Sequence, residues 1–567
     1  MNIEKFNISI SRDILIIDKS GRLSKLAFPK NFKEDNKFIK KTDNNYLLKI
    51  QTSPESSVKE AYEKFEEITN VVTEELHNRN ELIWPTCEYE YQDEIIKLHA
   101  KIKFSFGKEF LSDQSEETYD KIEEFINSNR EVLENIYGKI RVTASGSSIV
   151  VSNIRLHDST RFGISKESIL VIVAICFQAV FGEKNDDLFK SLEKIDKKYN
   201  LKAEEAIKLA KQKAKSKMEC GKTFENKLDL AEKYMLEGYN MRYTIVGHED
   251  LVAESKVLIK DSIAQGIDYN ILNDRKSVVE YGNKKHKEIV IEGNKTDRDS
   301  YIFPIITDDK YIAKNIMKKA GVNVPDAILL DKDMTEKDID ELLHDHYNTK
   351  LVVKPRNTNY GTGITVFSKP ASRKLILNAI EYAFKFDDSI LIEQYVKGKE
   401  YRFLVVDGKC VSIVHRRNAS VVGDVKSTIR ELIKAKNKEP WHALTGSPVK
   451  VDKPVEEFLK LQELTYDTVV PKGKRVTLRT NSNCSTGGES VDYTDAIPTK
   501  FKKVAEKAAK AFNAKICGVD IIIDDLEKDS YSVVEINDNP GYSINEWPYE
   551  GKGEKIGIMI LKLLDLI

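Results

Sequence analysis

Val58, Ala61, Tyr62, Phe65, Ile68, Val72 and Leu76 recur at intervals of three and four, the spacing of one face of a helix. On either side of them, "DILIID" (13–18) and the alternating "HAKIKFSF" (99–106) predict strands. The first 183 residues therefore read as an α+β domain. From 184 to 243 the pattern changes: apolar positions are spread among Lys, Glu and Ala, with no proline from 185 to 239. This predicts a connector of charged amphipathic helices whose solvated faces carry no chemistry. Beyond 244, short apolar strands alternate with helices, among them "KLVVKP" (350–355), "ILIEQYV" (390–396), "YRFLVVDG" (401–408), "CGVDIII" (517–523) and "YSVVEIN" (531–537).

A chain of 567 residues exceeds what one hydrophobic core organises, and its 41% hydrophobic content can build more than one. Lys and Arg number 90 against 91 Asp and Glu, so the charge balance points neither to nucleic acid nor to a membrane surface. The six cysteines lie far apart without a CxxC pair, which suggests neither a disulfide framework nor a zinc site and fits a reduced, cytoplasmic setting best. The longest apolar run, 169–177, is too short to span a bilayer, and "MNIEKFNISISRD" lacks a signal-peptide core.

The chemistry concentrates in the C-terminal half. Lys354 ends a strand and leads into "PRNTNYGTGIT", where Gly361 and Gly363 permit a close backbone approach to phosphate; a plain turn would look similar. Glu393 and Glu400 bracket "QYVKGK", a spacing that suits a nucleobase and a ribose, and "HRRNASVVGD" gathers His415, Arg416 and Arg417 without an adjacent acid. In "VVEINDNPG", Glu535 and Asn537 share one strand face. The two carboxylates Asp520 and Glu535 would repel a bare triphosphate by about 4 kcal/mol per close charge pair at an effective dielectric near 20, so cations must lie between. Mg²⁺ takes such oxygen ligands and completes its shell from phosphate and water. The run "LRTNSNCSTGGES" (478–490) offers Arg479 and small polar groups rather than core.

The succession Lys310, Lys354 with "NYGTGIT", "EQYVKGKEYRF", "HRRNASVVGD", "LRTNSNCSTGGESVDYTD", "CGVDIII" and "VVEINDNPG" resembles the ATP-grasp fold. Within that fold it is most similar to the glutathione synthetase half of the bifunctional glutamate-cysteine ligase/glutathione synthetase family, over 253–567; cyanophycin synthetase shares a similar "STGG". The resemblance implies that Lys310 and Lys354 hold ATP phosphates under a loop of Tyr360, Gly361 and Gly363. It places adenine at Glu393 and the Val396 backbone, ribose at Glu400, and the transferred phosphoryl group at Arg416 and Arg479. Arg402, Arg417, Asn481, Asn483, Ser485 and Gly487 would contact substrate. Asp520, Glu535 and Asn537 would bind two Mg²⁺, with Mn²⁺ as an alternative. The implied reaction activates a carboxylate as an acyl phosphate that an amine captures, so no Cys or Ser nucleophile is required. One departure stands near the substrate: the family's Arg-x-Pro-Ala-Asn is here Arg416-Arg417-Asn418-Ala419-Ser420.

The first 183 residues resemble a shortened glutamate-cysteine ligase through "SRDILIIDKSGRL", "NELIWPTCEY" and "VVSNIRLHDSTRFGISKESI". An unrelated α+β domain is the other reading. Where that ligase has metal-binding acids, this chain has Ser11, Asp13, Lys49 and Val150. A lysine 4 Å from a divalent ion is repelled by about 8 kcal/mol at an effective dielectric near 20. The expected molecule is thus a cytoplasmic enzyme with a degenerate domain at 1–183, a connector at 184–243 and an ATP-grasp ligase at 244–567. It would act on γ-glutamylcysteine and glycine, with no nucleic-acid or membrane partner and room for a homodimer. The competing readings are a cyanophycin synthetase-like ligase of other amino acids and a non-catalytic ATP-binding protein.

Overall fold

The computed structural model describes residues 7–24, 31–43, 46–85, 88–91, 94–105, 141–145 and 148–154, five isolated helical positions (120, 124, 127, 169 and 172), and residues from 224 onward. Within that last stretch, 242–243, 283–284, 359–360, 440, 443–447 and 480–481 are excepted. Most of the predicted connector and the "RLHDSTRFGISKES" segment lie outside the described residues, as do Cys87, Cys176 and Cys220. The chain forms two units, 1–249 with 260–268, and 250–259 with 269–567.

The first unit is organised by the long strand β1 (Asn7–Asp18). Around it stand β2 (Ile39–Lys41), β3 (Leu47–Gln51), β4 (Glu81–Ile83), a hairpin of β5 (Glu88–Tyr91) and β6 (Glu94–Lys97), then β7 (Ala100–Ser105), β8 (Arg141–Ser145) and β9 (Ser148–Ile154). The main sheet runs β2-β3-β1-β7-β9-β8, with β4 also pairing β1. Ile8, Ile10 and Ile14 alternate with Ser9, Ser11 and Asp13, so one face is buried and the other polar. Helix α1 (Val58–Asn78), capped by the Ser57 side chain, buries Val58, Ala61, Phe65, Ile68, Val72 and Leu76, the stripe its periodicity predicts. Helix α2 (Phe224–Asn240) packs on it. On the polar face Asp13 lies directly opposite Lys49, Ser11 opposite Gln51, and Val150 opposite Lys103.

Helix α3 (Ala253–Gln265) opens within the second unit, followed by the small sheet β10 (Tyr269–Asn273), β11 (Val278–Gly282) and β12 (Lys287–Ile291). After α4 (Ile302–Asp308) and α5 (Lys310–Lys319) come β13 (Ala327–Asp331), α6 (Glu336–Leu343), β14 (Leu351–Pro355), β15 (Thr365–Phe367), α7 (Arg373–Ala383) and β16 (Ser389–Gln394). Their four strands pair in the order β13-β16-β14-β15, over a core of Leu330, Ile339, Val353, Ile376, Ile380 and Ile392.

The remainder builds a five-stranded sheet from β17 (Lys399–Val406), β18 (Lys409–Arg417), β21 (Glu489–Asp492), β22 (Ile516–Asp525) and β23 (Ser530–Asn537), in the order β21-β18-β17-β22-β23. Between β18 and β21 lie β19 (Ser420–Val422), α8 (Ile429–Lys436), α9 (Lys453–Lys460) and β20 (Arg475–Thr477), with a core of their own. Helix α10 (Thr499–Ala511) lays Phe501, Ala505, Ala508 and Ala509 on the sheet face made by Phe403, Ile413, Val519, Ile521 and Val533. Alternation along the strands turns Glu400, Arg402, Asp520 and Glu535 to the other face, which is where the charges gather. Among the described residues no helix is long and apolar enough to cross a membrane.

Candidate active site

Arg402 on β17 pairs in register with Asp520 on β22, and Asp520 with Glu535 on β23. The Arg402 guanidinium grips both oxygens of Asp520, with Nη2 at 2.8 Å from Oδ2. It lies across Gly518, where a Cβ would come within 2.8 Å of Arg402 Cδ, so only glycine leaves the arginine its path. Arg416 donates to the same Asp520 at 3.2 Å and also to Glu400. Burial works against charge on Asp520, but Arg402 and Arg416 outweigh it and hold the carboxyl below its ordinary value. Burial likewise opposes the Arg416 charge, and Asp520 and Glu400 more than restore it.

A second charged cluster forms around Glu393. Val352 lies opposite Glu393, so Lys354, two residues on, is its diagonal neighbour on the same face. Lys354 and Lys314 close on the Glu393 carboxylate at 2.8 and 3.2 Å, all three buried. Burial raises the Glu393 pKa, and the two lysines more than reverse the rise. Lys314 itself is lowered to about 8, first by burial and then by Lys354. Where register shifts after Asp520, Val534 falls out of pairing as a bulge and its carbonyl accepts from Lys314 at 3.4 Å.

Helix α5 supplies Lys310 and Lys314 one turn apart. Its N-cap Asp309 accepts from the Tyr311 and Ile312 amides and takes Arg356 Nε at 2.9 Å. Arg356 follows Lys354-Pro355, so this fork ties the lysine helix to the end of β14. Lys310 donates to the Thr358 carbonyl in the glycine loop and stands 3.9 Å from Glu535.

A cavity of about 710 Å³ joins Gly361, Arg402, Arg416, Asn483, Cys484, Glu535 and Asn537 to Glu254, Lys295, Thr307, Asn539 and Ser543. Glu535 has no hydrogen bond among the described residues, and Asn537 Nδ2 is buried without a partner. Glu535 and Asn537 both line the cavity, and a carboxylate together with an amide oxygen is a donor set of the hard-oxygen type that suits Mg²⁺. Among the described residues no group of three or more acids, histidines or cysteines could hold a metal.

The other expected site residues are placed as follows. Both oxygens of Asp520 are taken by arginine. Glu393 is buried as the counter-ion of two lysines. Val396 lines a separate hollow of about 360 Å³ with Gln394, Tyr395 and Asn323. Arg417 projects to the opposite face from Arg416 and is held by Glu489 at 2.7 Å and by Glu550, away from the cavity. Arg479 is buried against Asp452 and does not line the cavity. At Gly363 a Cβ would strike Pro355 and Phe386, and at Gly487 it would strike Val449, so packing explains both glycines; Gly361 has open space. Ser485 sits in the turn Cys484–Thr486 and its side chain, like Tyr360 and Asn481, lies outside the described residues.

Sequence reasoning passed over Lys314, Cys484 and Glu254. The first could have been found at helical spacing from Lys310. Cys484 lines the cavity with its thiol pushed up to about 11 by burial, which disfavours the thiolate.

Three domain families match the chain: an ATP-grasp-like domain over 249–302, the C-terminal domain of D-Ala-D-Ala ligase over 316–470, and a RimK-like ATP-grasp domain over 465–555. The glutathione biosynthesis bifunctional protein of Clostridium perfringens is 37% identical over 384 residues, 66% of this chain and 48% of the relative. That of Enterococcus faecalis is 35% identical over 360 residues, 62% and 46% respectively. The chain thus spans about half the length of the curated relatives it matches. A crystal structure of a bifunctional glutathione synthetase from Pasteurella multocida superposes with a TM-score of 0.76 at 20% identity, covering 99% of this chain and 98% of that one, a likeness of fold. The chain is thus similar to ATP-grasp domains over 249–302 and 465–555, and to bifunctional glutathione biosynthesis proteins at 37% and 35% identity over about half of their length.

Proposed function

We propose that the second unit is an ATP-dependent carboxylate-amine ligase working through an acyl phosphate, with γ-glutamylcysteine and glycine as its substrates. The observation that carries this reading is the single cavity in which Arg402, Arg416 and Glu535 meet the glycine loop at Gly361. Lys310 would hold ATP phosphates together with Lys314 and Lys354, once these turn from Glu393. Arg416, already desolvated, would transfer its charge from Glu400 to the phosphoryl group as that group moves. The acid substrate's oxygen bonds to the γ-phosphorus as ADP leaves; the amine then attacks the acyl carbon, loses a proton and expels phosphate. ATP-grasp ligases use ATP with Mg²⁺; Glu535 and Asn537 would hold it, joined by Asp520 once an arginine releases an oxygen. Two ions, or Mn²⁺ in their place, would neutralise the phosphate charge. Release of ADP on adding γ-glutamylcysteine plus glycine tests the reading; silence there with turnover on other acid and amine pairs would favour a ligase of different amino acids.

Lys314 gives the cleft a pH dependence. Below about pH 8 it is already protonated and nucleotide binding takes up no proton. Above pH 8 it is neutral in the free protein, and binding phosphate must return the proton. Mg·ATP affinity is therefore expected to fall by up to about tenfold per pH unit above 8. Calorimetry from pH 7 to 9.5 checks this, with Lys314→Arg expected to flatten the profile; an equally flat wild-type profile would exclude a role for Lys314 at the phosphates.

In the first unit, Lys49 faces Asp13 and Val150 faces Lys103 across the polar side of the sheet. We read this domain as a degenerate glutamate-cysteine ligase. Purified protein with ATP, glutamate and cysteine should form no γ-glutamylcysteine by mass spectrometry, and its detection would overturn that reading.

A further inference from the structure

We infer that Glu254 selects the acid substrate by holding a primary ammonium group that the substrate carries away from its reacting carboxylate. This rests on the ligase reading above. Glu254 lies in the first turn of α3 and is fixed from two sides. Its Oε1 accepts from the Ser543 amide at 3.2 Å and the Ser543 hydroxyl at 2.7 Å. Its backbone carbonyl accepts from the Tyr542 hydroxyl at 2.9 Å, which also reaches the Gly293 carbonyl at 3.0 Å. The loop after β23 therefore holds this carboxylate at the wall of the cavity that contains Glu535, Arg402 and Arg416.

What sets Glu254 apart is its lack of a counter-ion. Asp520 and Glu393 each have two cations. Among the described residues no lysine or arginine stands within ion-pair distance of Glu254, and none donates to its second oxygen. Lys295, on the same cavity, is taken by Glu292 at 2.6 Å. Burial, and more weakly Glu292, make the carboxylate costly to ionise. A ligand cation beside it would relieve both effects.

The chemistry decides which substrate supplies that cation. An ion-paired ammonium has a raised pKa and stays protonated, which disarms it as a nucleophile. Glu254 therefore suits an amine that takes no part in bond formation, the one on the acid being activated, rather than the attacking amine. The substrate class becomes amino acids, or peptides with a free amine, as opposed to simple carboxylic acids.

Calorimetry in the presence of Mg²⁺ and a non-hydrolysable ATP analogue provides the test, comparing γ-glutamylcysteine with glutarylcysteine, which lacks only the amine. Alanylalanine with propionylalanine, and glutamate with glutarate, serve as parallel pairs. Wild-type protein should prefer the amine form by about 10- to 100-fold, the range of a charge-assisted hydrogen bond. Glu254→Gln keeps the Oε1 acceptor for Ser543 and should lose the preference while nucleotide affinity stays within about twofold. Indifference to the amine in every pair, or a preference that survives Glu254→Gln, would overturn the inference. Failure of γ-glutamylcysteine alone to bind, with amine preference kept in another pair, would strike the glutathione reading and leave Glu254 in its role.

Discussion

Glu535→Ala is expected to lower ATP turnover by about 10³-fold or more, the several kcal/mol that charge neutralisation by a bound metal supplies. The fold should hardly notice. Glu535 is about one-third exposed, its nearest cation is Lys310 at 3.9 Å, and no hydrogen bond depends on it. An ion pair of that kind contributes at most about 1 kcal/mol, so the melting temperature should move by no more than about 3 °C. A coupled ADP assay and a thermal melt on the same preparation check both statements. Undiminished turnover would remove Glu535 from the chemistry, and a collapsed melting temperature would make it a structural residue instead.

Asp520→Ala should behave differently, losing both activity and stability. Removing a buried carboxylate held by two arginines leaves Arg402 and Arg416 uncompensated, a loss of about 3 to 5 kcal/mol. The depressed pKa fixes the sign of the pH effect. The wild-type contribution is fully present above the ordinary aspartate value near 4 and disappears as pH falls through the lower folded value. The wild-type advantage over the variant should therefore narrow in acid. Denaturant titration at pH 7 and pH 3 measures this, and adding Arg402→Met to Asp520→Ala should recover part of the stability without recovering turnover. A variant as stable as wild type at pH 7 would mean that the arginine bridge contributes nothing.

The parts of the site that lie along one element were legible. The two-residue period of "VVEIN" places Glu535 and Asn537 on one face, and β23 carries them so. The same period applied to β18 would have separated Arg416 from Arg417, and helical spacing would have added Lys314 to Lys310. What sequence could not supply was pairing across distance. Asp520 reads as an open acid until Arg402, on a neighbouring strand, is seen lying over Gly518. Glu254 reads as an ordinary acid in the first turn of a helix until the loop at Tyr542 and Ser543 fixes it at the cavity. Gly363 and Gly487 accommodate close neighbours, a demand indistinguishable in sequence from a ligand's approach.

The most direct test of acyl phosphate chemistry follows oxygen-18 from the reacting carboxylate of γ-glutamylcysteine during turnover with ATP and glycine. Mass spectrometry of the released phosphate should find one labelled oxygen per molecule, carried across when the acyl phosphate breaks. Phosphate free of label, with peptide formed at the normal rate, would contradict the mechanism.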